Sequence, residues 1–257
     1  MKKILQISLF ILTIIGLLTL TGFVVMSNMH TEVIEVEVNV YRSSNNGFIS
    51  KSEIISVINN IDSTNNLEIS KVQIAEIERA LGNNPYTESA DSYTTIDGRL
   101  LVNVKEKQPI IRIYDKGGKG FYLDKKGDIF PVSSKYAPRV LIANGYIKEE
   151  VTNPRGNIAD SIYNGSIFRE LFILTQLINN NSLLKAQINQ IYINSKGNFD
   201  LIPELGNHLI QFGSLDNANN KIKNLDAYYK KYLKTSIWDS YKTINLTYNN
   251  QIVCTKK

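Results

Sequence analysis

The sequence predicts an α+β chain: one N-terminal membrane-spanning helix, a β-α-α-β-β domain, then a mostly antiparallel β domain with flanking helices. Three observations predict it. The chain opens on an uncharged apolar run, helical and strand periodicities alternate from residue 31 to about 107, and short strands with Gly-rich corners dominate beyond Pro109. With 257 residues and 43% apolar content, the chain can bury a core in each of two modest domains. The domain plan is a tail at 1–3, a membrane helix at 4–26, and domains at 31–107 and 108–257.

The run "ILQISLFILTIIGLLTLTGFVVM" carries no charge over 23 positions. As a helix rising about 1.5 Å per residue it spans roughly 34 Å, enough for a bilayer core. Lys2 and Lys3 precede it and Glu32, Glu35 and Glu37 follow, which keeps the tail cytoplasmic and exports the rest. A cleaved signal peptide would have a shorter apolar centre and a small-residue site such as A-x-A, and the run has neither. The expectation is an uncleaved anchor.

In "TEVIEVEVNVY" (31–41), Val36, Val38 and Val40 alternate with Glu35, Glu37 and Asn39, the period of a strand with one wet face. Ser50 and Glu53 have the form of a capping box, followed by a stripe of Ile54, Val57, Ile58 and Ile61. Ser70 and Gln73 repeat the device before Ile74, Ile77 and Leu81, and Gly82 with Pro85 is expected to end that helix. Asp97-Gly98 signals a two-residue hairpin turn leading into Leu100, Val102 and Val104. One helical layer on a three-stranded sheet follows.

Past Pro109 come the strand-like "PIIRIY", "FYLDKKGDIFP" and "RVLIANG", then a helix over about 166–179 with Ile167, Leu171, Leu174 and Ile178 on one side. "QIYINSKGNFDLIP" and "HLIQFGS" read as three strands, and 216–236 as a basic amphipathic helix with Leu225, Tyr228 and Tyr232 on the sheet. "YKTINLTYNNQIVC" (241–254) reads as one half-buried final strand: Ile244, Leu246, Tyr248, Ile252 and Cys254 share a parity. It has one sequence neighbour to pair with, so its other edge is expected to be bare.

Composition and motifs argue against several functions. The net charge of +5 owes two units to Lys2 and Lys3, and the 27 basic residues left face 24 acidic ones, too even a balance for a nucleic-acid partner. The single Cys254 allows no internal disulfide or thiol pair, and His30 and His208 are too few for a His-rich metal site. "DKGGKG" (115–120) lacks phosphate-loop spacing and lies between strands, so a hairpin turn is expected. Ser166 in "NGS" reads as a helix cap, His208 has no triad motif, and Glu149 and Glu150 diverge. No catalytic residue, cofactor, metal or small-molecule substrate is expected.

The order of these segments resembles the FtsQ/DivIB family of bacterial cell-division proteins, with a POTRA domain at 31–107. The resemblance rests on "GFISKSEI" (47–54), on "IERALGNNPYTESADSYTTIDGRLLVNVKEKQP" (77–109), similar to the family's I-x-x-x-L-x-x-x-P-x-V-x-x-A stretch and hairpin, on "FYLDKKGDIFP" (121–131) and on "INLTYNNQIVC" (244–254), which looks like its terminal strand pair. Tyr86 stands for the usual aromatic-Val pair, Asn245 stands where Asp is frequent, and the tail is short. The Asn- and Lys-rich composition and the ending "NQIVCTKK" resemble a Bacteroidetes-type member.

The resemblance implies a non-enzymatic divisome scaffold in the inner membrane at the division septum, with periplasmic domains. It would hold FtsB- and FtsL-like proteins and link them to septal peptidoglycan synthesis. Strand addition at the last strand would suit such contacts, with Tyr241, Leu246, Tyr248, Asn250, Ile252 and Val253 as candidate partner-binding residues. Leu246 and Ile252 also fit a core role. Two other classes remain open: a POTRA-bearing polypeptide chaperone or translocation component using the edge near Val36 to Val40, and an exported hydrolase.

Overall fold

The computed structural model describes residues 2–29, 32–62, 68–232, 240–248 and 251–257, with side chains of the first helix described over 8–22. That helix, α1 (Lys2–Met29), carries Thr13, Thr19 and Thr21, whose hydroxyls donate to carbonyls three or four residues back. This is how an apolar helix accommodates threonine. Among the described residues no helix is long and apolar enough to cross a membrane. The span expected over 4–26 is therefore not found among them, and residues 4–7 and 23–26 of that span lie where no side chain is described.

The chain divides into two compact units, Met1–Lys107 and Gln108–Lys257. After α1 the first unit contains β1 (Glu35–Tyr41), α2 (Lys51–Ile61), α3 (Ile74–Gly82), β2 (Thr87–Thr94) and β3 (Arg99–Glu106), with strand order β1-β3-β2. β1 runs parallel to β3 from Glu35↔Arg99 to Tyr41↔Lys105, and β2 is antiparallel to β3. Val38, Leu100, Val102 and Val104 of the sheet and Ile54, Ile58, Ile77 and Leu81 of the helices are buried. The capping box at α2 forms in both halves: Glu53 N–H donates to Ser50 Oγ at 3.2 Å and Ser50 N–H to Glu53 Oε2 at 2.9 Å.

Two local expectations are corrected here. The second capping box does not form. Asp62, at the end of α2, accepts both the Gln73 amide at 2.7 Å and its side-chain Nε2 at 3.0 Å, and Ile69–Lys71 winds into a single 3-10 turn. A carboxylate is the stronger acceptor and displaces the Ser70 hydroxyl from that role. α3 ends at Gly82 as expected, with Asn83 following it still in the right-handed region. The hairpin loop is longer than two residues: Thr95 N–H donates to Arg99 O and Gly98 N–H to Thr95 O, and only Gly98 takes positive φ, at 88°. This is a turn closed by a left-handed glycine.

The motif "GFISKSEI" has a physical reason in the same unit. Glu106, at the end of β3, is buried and accepts the amides of Phe48 at 3.2 Å and Ile49 at 2.9 Å, with Arg42 3.6 Å away. A Cβ on Gly47 would strike this carboxylate and the Arg42 guanidinium. A side chain at position 47 would force these two groups to shift and would disturb the bonds that Glu106 makes to the loop.

The second unit contains β4 (Pro109–Tyr114), β5 (Gly120–Asp124), β6 (Ile129–Pro131), β7 (Leu141–Gly145), α4 (Ile167–Asn179), α5 (Ser182–Gln187), β8 (Ile188–Ile193), β9 (Phe199–Pro203), β10 (Leu209–Gly213), α6 (Ala218–Tyr232), β11 (Tyr241–Asn245) and β12 (Val253–Lys256). Its strands form one mostly antiparallel sheet in the order β12-β11-β10-β9-β8-β7-β4-β5-β6, with parallel pairing at β4–β7, β7–β8 and β10–β11. Ile191, Ile193, Phe199, Leu201, Ile210, Phe212 and Ile244 of the sheet form one cluster with Phe168, Leu171, Leu174 and Ile178 of α4 and Leu225 of α6. The six-residue α5, which the apolar pattern does not announce, starts at an Asn181 cap that accepts the Leu184 amide.

Candidate functional site

The groups that could suggest chemistry have structural employment. "DKGGKG" is the β4–β5 turn, in which Asp115 accepts the Lys119 amide and Gly118 takes φ 74°. Ser166 caps α4 by accepting the Phe168 amide, and Glu149 joins it, hydrogen bonded to the Ser166 hydroxyl and to the Ile167 amide. His208 is buried with Nε2 2.9 Å from the Tyr229 hydroxyl. Burial holds the Cys254 thiol up from its ordinary value, with the Tyr228 hydroxyl opposing the shift. A thiol held protonated is a poor nucleophile. Among the described residues no group of three or more His, Cys, Asp or Glu could hold a metal ion.

What stands out instead is one sheet margin. The expected single strand over 241–254 is two strands. β11 ends because Asn245 Oδ1 captures the Thr247 amide at 2.9 Å and its hydroxyl at 2.7 Å, a side-chain turn that breaks extended backbone. β12 returns antiparallel, pairing Asn245↔Val253, Ile244↔Cys254, Thr243↔Thr255 and Tyr241↔Lys256. β11 is thereby enclosed between β12 and β10. β12 is the border of the sheet, and among the described residues no strand pairs with its outer side.

The direction of each backbone group on β12 follows from two hydrogen bonds. Leu246 N–H donates to Gln211 O of β10, and Lys257 N–H donates to Ser240 O. In an antiparallel pair alternate residues bond to the neighbour. Val253 and Thr255 therefore bond to β11, while the N–H and C=O of Cys254 and Lys256 face outward.

The other margins are closed or guarded. On β2 the Ser92 amide donates to Glu78 Oε1 of α3 at 2.6 Å. β6 is three residues long, and the following loop lies on it: Ile129 N–H donates to Gly156 O, and Asn157 Nδ2 to Asp128 Oδ1 at 2.7 Å. On β1, Ile34 N–H bonds to Gly98 O of the parallel neighbour, so the outward backbone belongs to Glu35, Glu37, Asn39 and Tyr41. A carboxylate-bearing edge discourages strand addition.

Beside β12, α6 and the terminal hairpin enclose an open groove of about 470 Å³. It is lined by Ala227, Tyr228, Lys231 and Tyr232 from α6 and by Tyr241, Ile252 and Cys254 from the hairpin. The Tyr228 and Tyr232 rings lie 4.9 Å apart, and the Lys231 ammonium sits 5.2 Å from the Tyr232 ring centre. Burial pushes the Tyr228 hydroxyl up from its ordinary value, with Cys254 and Tyr241 adding to the shift. The groove is thus neutral and aromatic, with one cation at its mouth.

Of the six residues singled out by sequence, Tyr241 and Ile252 line this groove, Val253 lies exposed on β12, and Tyr248 is exposed just beyond β11. Leu246 is 3% exposed and belongs to the core, so its side chain has no surface to offer a partner. Asn250 lies outside the described residues. Ala227, Lys231 and Tyr232 belong to the segment "AYYKKY" (227–232), which also reads as a partner or membrane-interface surface but is assigned by sequence to packing on the sheet. The signal was present: Asn224, Ala227, Tyr228 and Lys231 follow i, i+3, i+4, i+7 on one face of α6.

Comparison with known proteins places this geometry in a family. A POTRA-like domain matches residues 33–105, and the family described as FtsQ/DivIB, C-terminal related, matches residues 108–255. A search of curated proteins finds no match. With the matched stretch covering more than half of its length, the chain belongs to the FtsQ/DivIB, C-terminal related family.

Proposed function

We propose that the chain is a membrane-anchored, non-catalytic scaffold of bacterial cell division that accepts a strand from an FtsB- or FtsL-like partner along β12. The observation that carries this reading is the outer margin of β12, with which no strand pairs among the described residues, in a chain of this family. A strand added there bonds to the outward groups of Cys254 and Lys256, and its alternate side chains meet the groove beside α6, where an aromatic or aliphatic residue suits the Tyr228 and Tyr241 rings. Lys256 and Lys257 deter pairing of this margin with a second copy of itself, since like charges face each other in such a pair. α1 supports anchorage: Leu9, Phe10, Leu12, Leu17, Leu18 and Leu20 are exposed on it, an arrangement that water disfavours and lipid does not. In this reading residues 1–3 are cytoplasmic, the domains at 31–107 and 108–257 are periplasmic, and the complex feeds septal peptidoglycan synthesis.

The experiment is in the cell. A fluorescent fusion of the full chain collects at midcell, and depletion yields filaments with unsegmented walls. Diffuse fluorescence with normal division on depletion contradicts the reading.

A further inference from the structure

The two most exposed large apolar side chains among the described residues are Ile34, at 78%, and Ile96, at 73%, and both belong to the first unit. Both lie at the Gly98 turn. Ile96 lies in the β2–β3 turn closed by Gly98, and a Cβ placed on Gly98 would meet Cγ1 and Cδ1 of Ile34 within about 3.0 Å. An isolated exposed isoleucine is unremarkable on a protein surface, but two extreme examples at the same end of one sheet make a small apolar tip.

Topology fixes which end this is. Because β1 runs parallel to β3 in the register Glu35↔Arg99, the turn that starts β3 must lie where β1 begins. That is the end at which the chain arrives from α1. α1 ends at Met29, and the five residue steps to Ile34 reach at most roughly 17 Å even when fully extended. The tip therefore cannot lie far from the point where α1 ends.

We propose that Ile34 and Ile96 dip into the outer interface of the bilayer and fix the orientation of the first unit against the membrane. The inference rests on α1 being the membrane anchor. The occupant is lipid because the tether sets the distance, and attraction is apolar because the charges around the tip are mainly acidic: Glu32, Glu35, Glu37 and Asp97 against Arg99. Arg99 engages Asp97 at 2.9 Å and Glu37 at 3.5 Å, which softens this acidity beside the headgroups. Insertion should accordingly persist in uncharged phosphatidylcholine and need no anionic lipid.

The test uses the full chain with Cys254→Ser and Ile96→Cys, carrying an NBD fluorophore at residue 96 and reconstituted in phosphatidylcholine vesicles. A matched protein carries the label at Ile162→Cys, an exposed position in the second unit. The expected result is a blue shift of the label at 96 and its quenching by lipids nitroxide-labelled near the headgroup, with the label at 162 unaffected. If the protein floats with the vesicles while the label at 96 stays as aqueous as that at 162, the inference fails and the anchor stands. If the protein does not float, the anchor and the inference fail together. Shielding of 96 that appears only on adding another division protein overturns the lipid assignment in favour of a protein contact.

Discussion

Glu106→Ala lowers the stability of the first unit by about 3 kcal/mol. Two buried main-chain donors, Phe48 and Ile49, lose their acceptor, and leaving a buried donor unpaired costs ~1–3 kcal/mol each. The neighbouring Arg42 adds little, because its side chain is partly exposed and water replaces the ion pair. Glu106→Gln keeps one acceptor oxygen and loses about half as much. Amide hydrogen exchange across a urea titration of the full chain resolves the effect by unit. Protection at Ile54 and Ile58 of α2 falls, and protection at Ile191 and Phe199 in the second unit does not change. Unaltered exchange in α2 would show that the loop over Glu106 is held by something other than this carboxylate.

Lys256→Pro abolishes capture of the partner strand and leaves the fold intact, whereas Thr255→Pro damages the fold itself. The two residues are adjacent and both exposed, and they differ in where their backbone points. The Lys256 amide faces away from β11, so proline there removes a donor that the β11–β12 ladder does not use. The Thr255 amide points at β11, and its loss breaks a rung of the ladder between Thr243 and Thr255, at a cost of about 1–3 kcal/mol. Pull-down of the FtsB-like partner by the two full-length variants, with exchange protection of β11 measured in parallel, separates the outcomes. Partner capture by Lys256→Pro at the wild-type level would sink the strand-addition account.

Much of this architecture is legible in sequence because its signals are local. The Ser50–Glu53 cap, the Ile77 and Leu81 stripe of α3 and the Ser166 cap each need only a few neighbouring residues. What escapes sequence is decided across distance. Asp62 takes Gln73 away from Ser70 from 11 positions upstream, and Glu106 crowds position 47 through a contact that no spacing rule contains. The terminal segment shows both sides. Parity rightly groups Ile244 with Leu246 as inward, but the turn at Asn245 and Thr247 hides behind residues that continue the alternation. The groove escaped because it combines a helix face with a hairpin, and each half alone reads as ordinary packing.

The most direct test of the central claim is amide exchange on β12 with and without the partner, read residue by residue in the full chain. The account predicts that without partner the amides of Cys254 and Lys256 exchange freely while those of Val253 and Thr255 are already slowed by β11, and that partner binding slows Cys254 and Lys256 specifically. Partner binding that leaves Cys254 and Lys256 exchanging freely, while slowing amides on another margin or on a helix face, contradicts it.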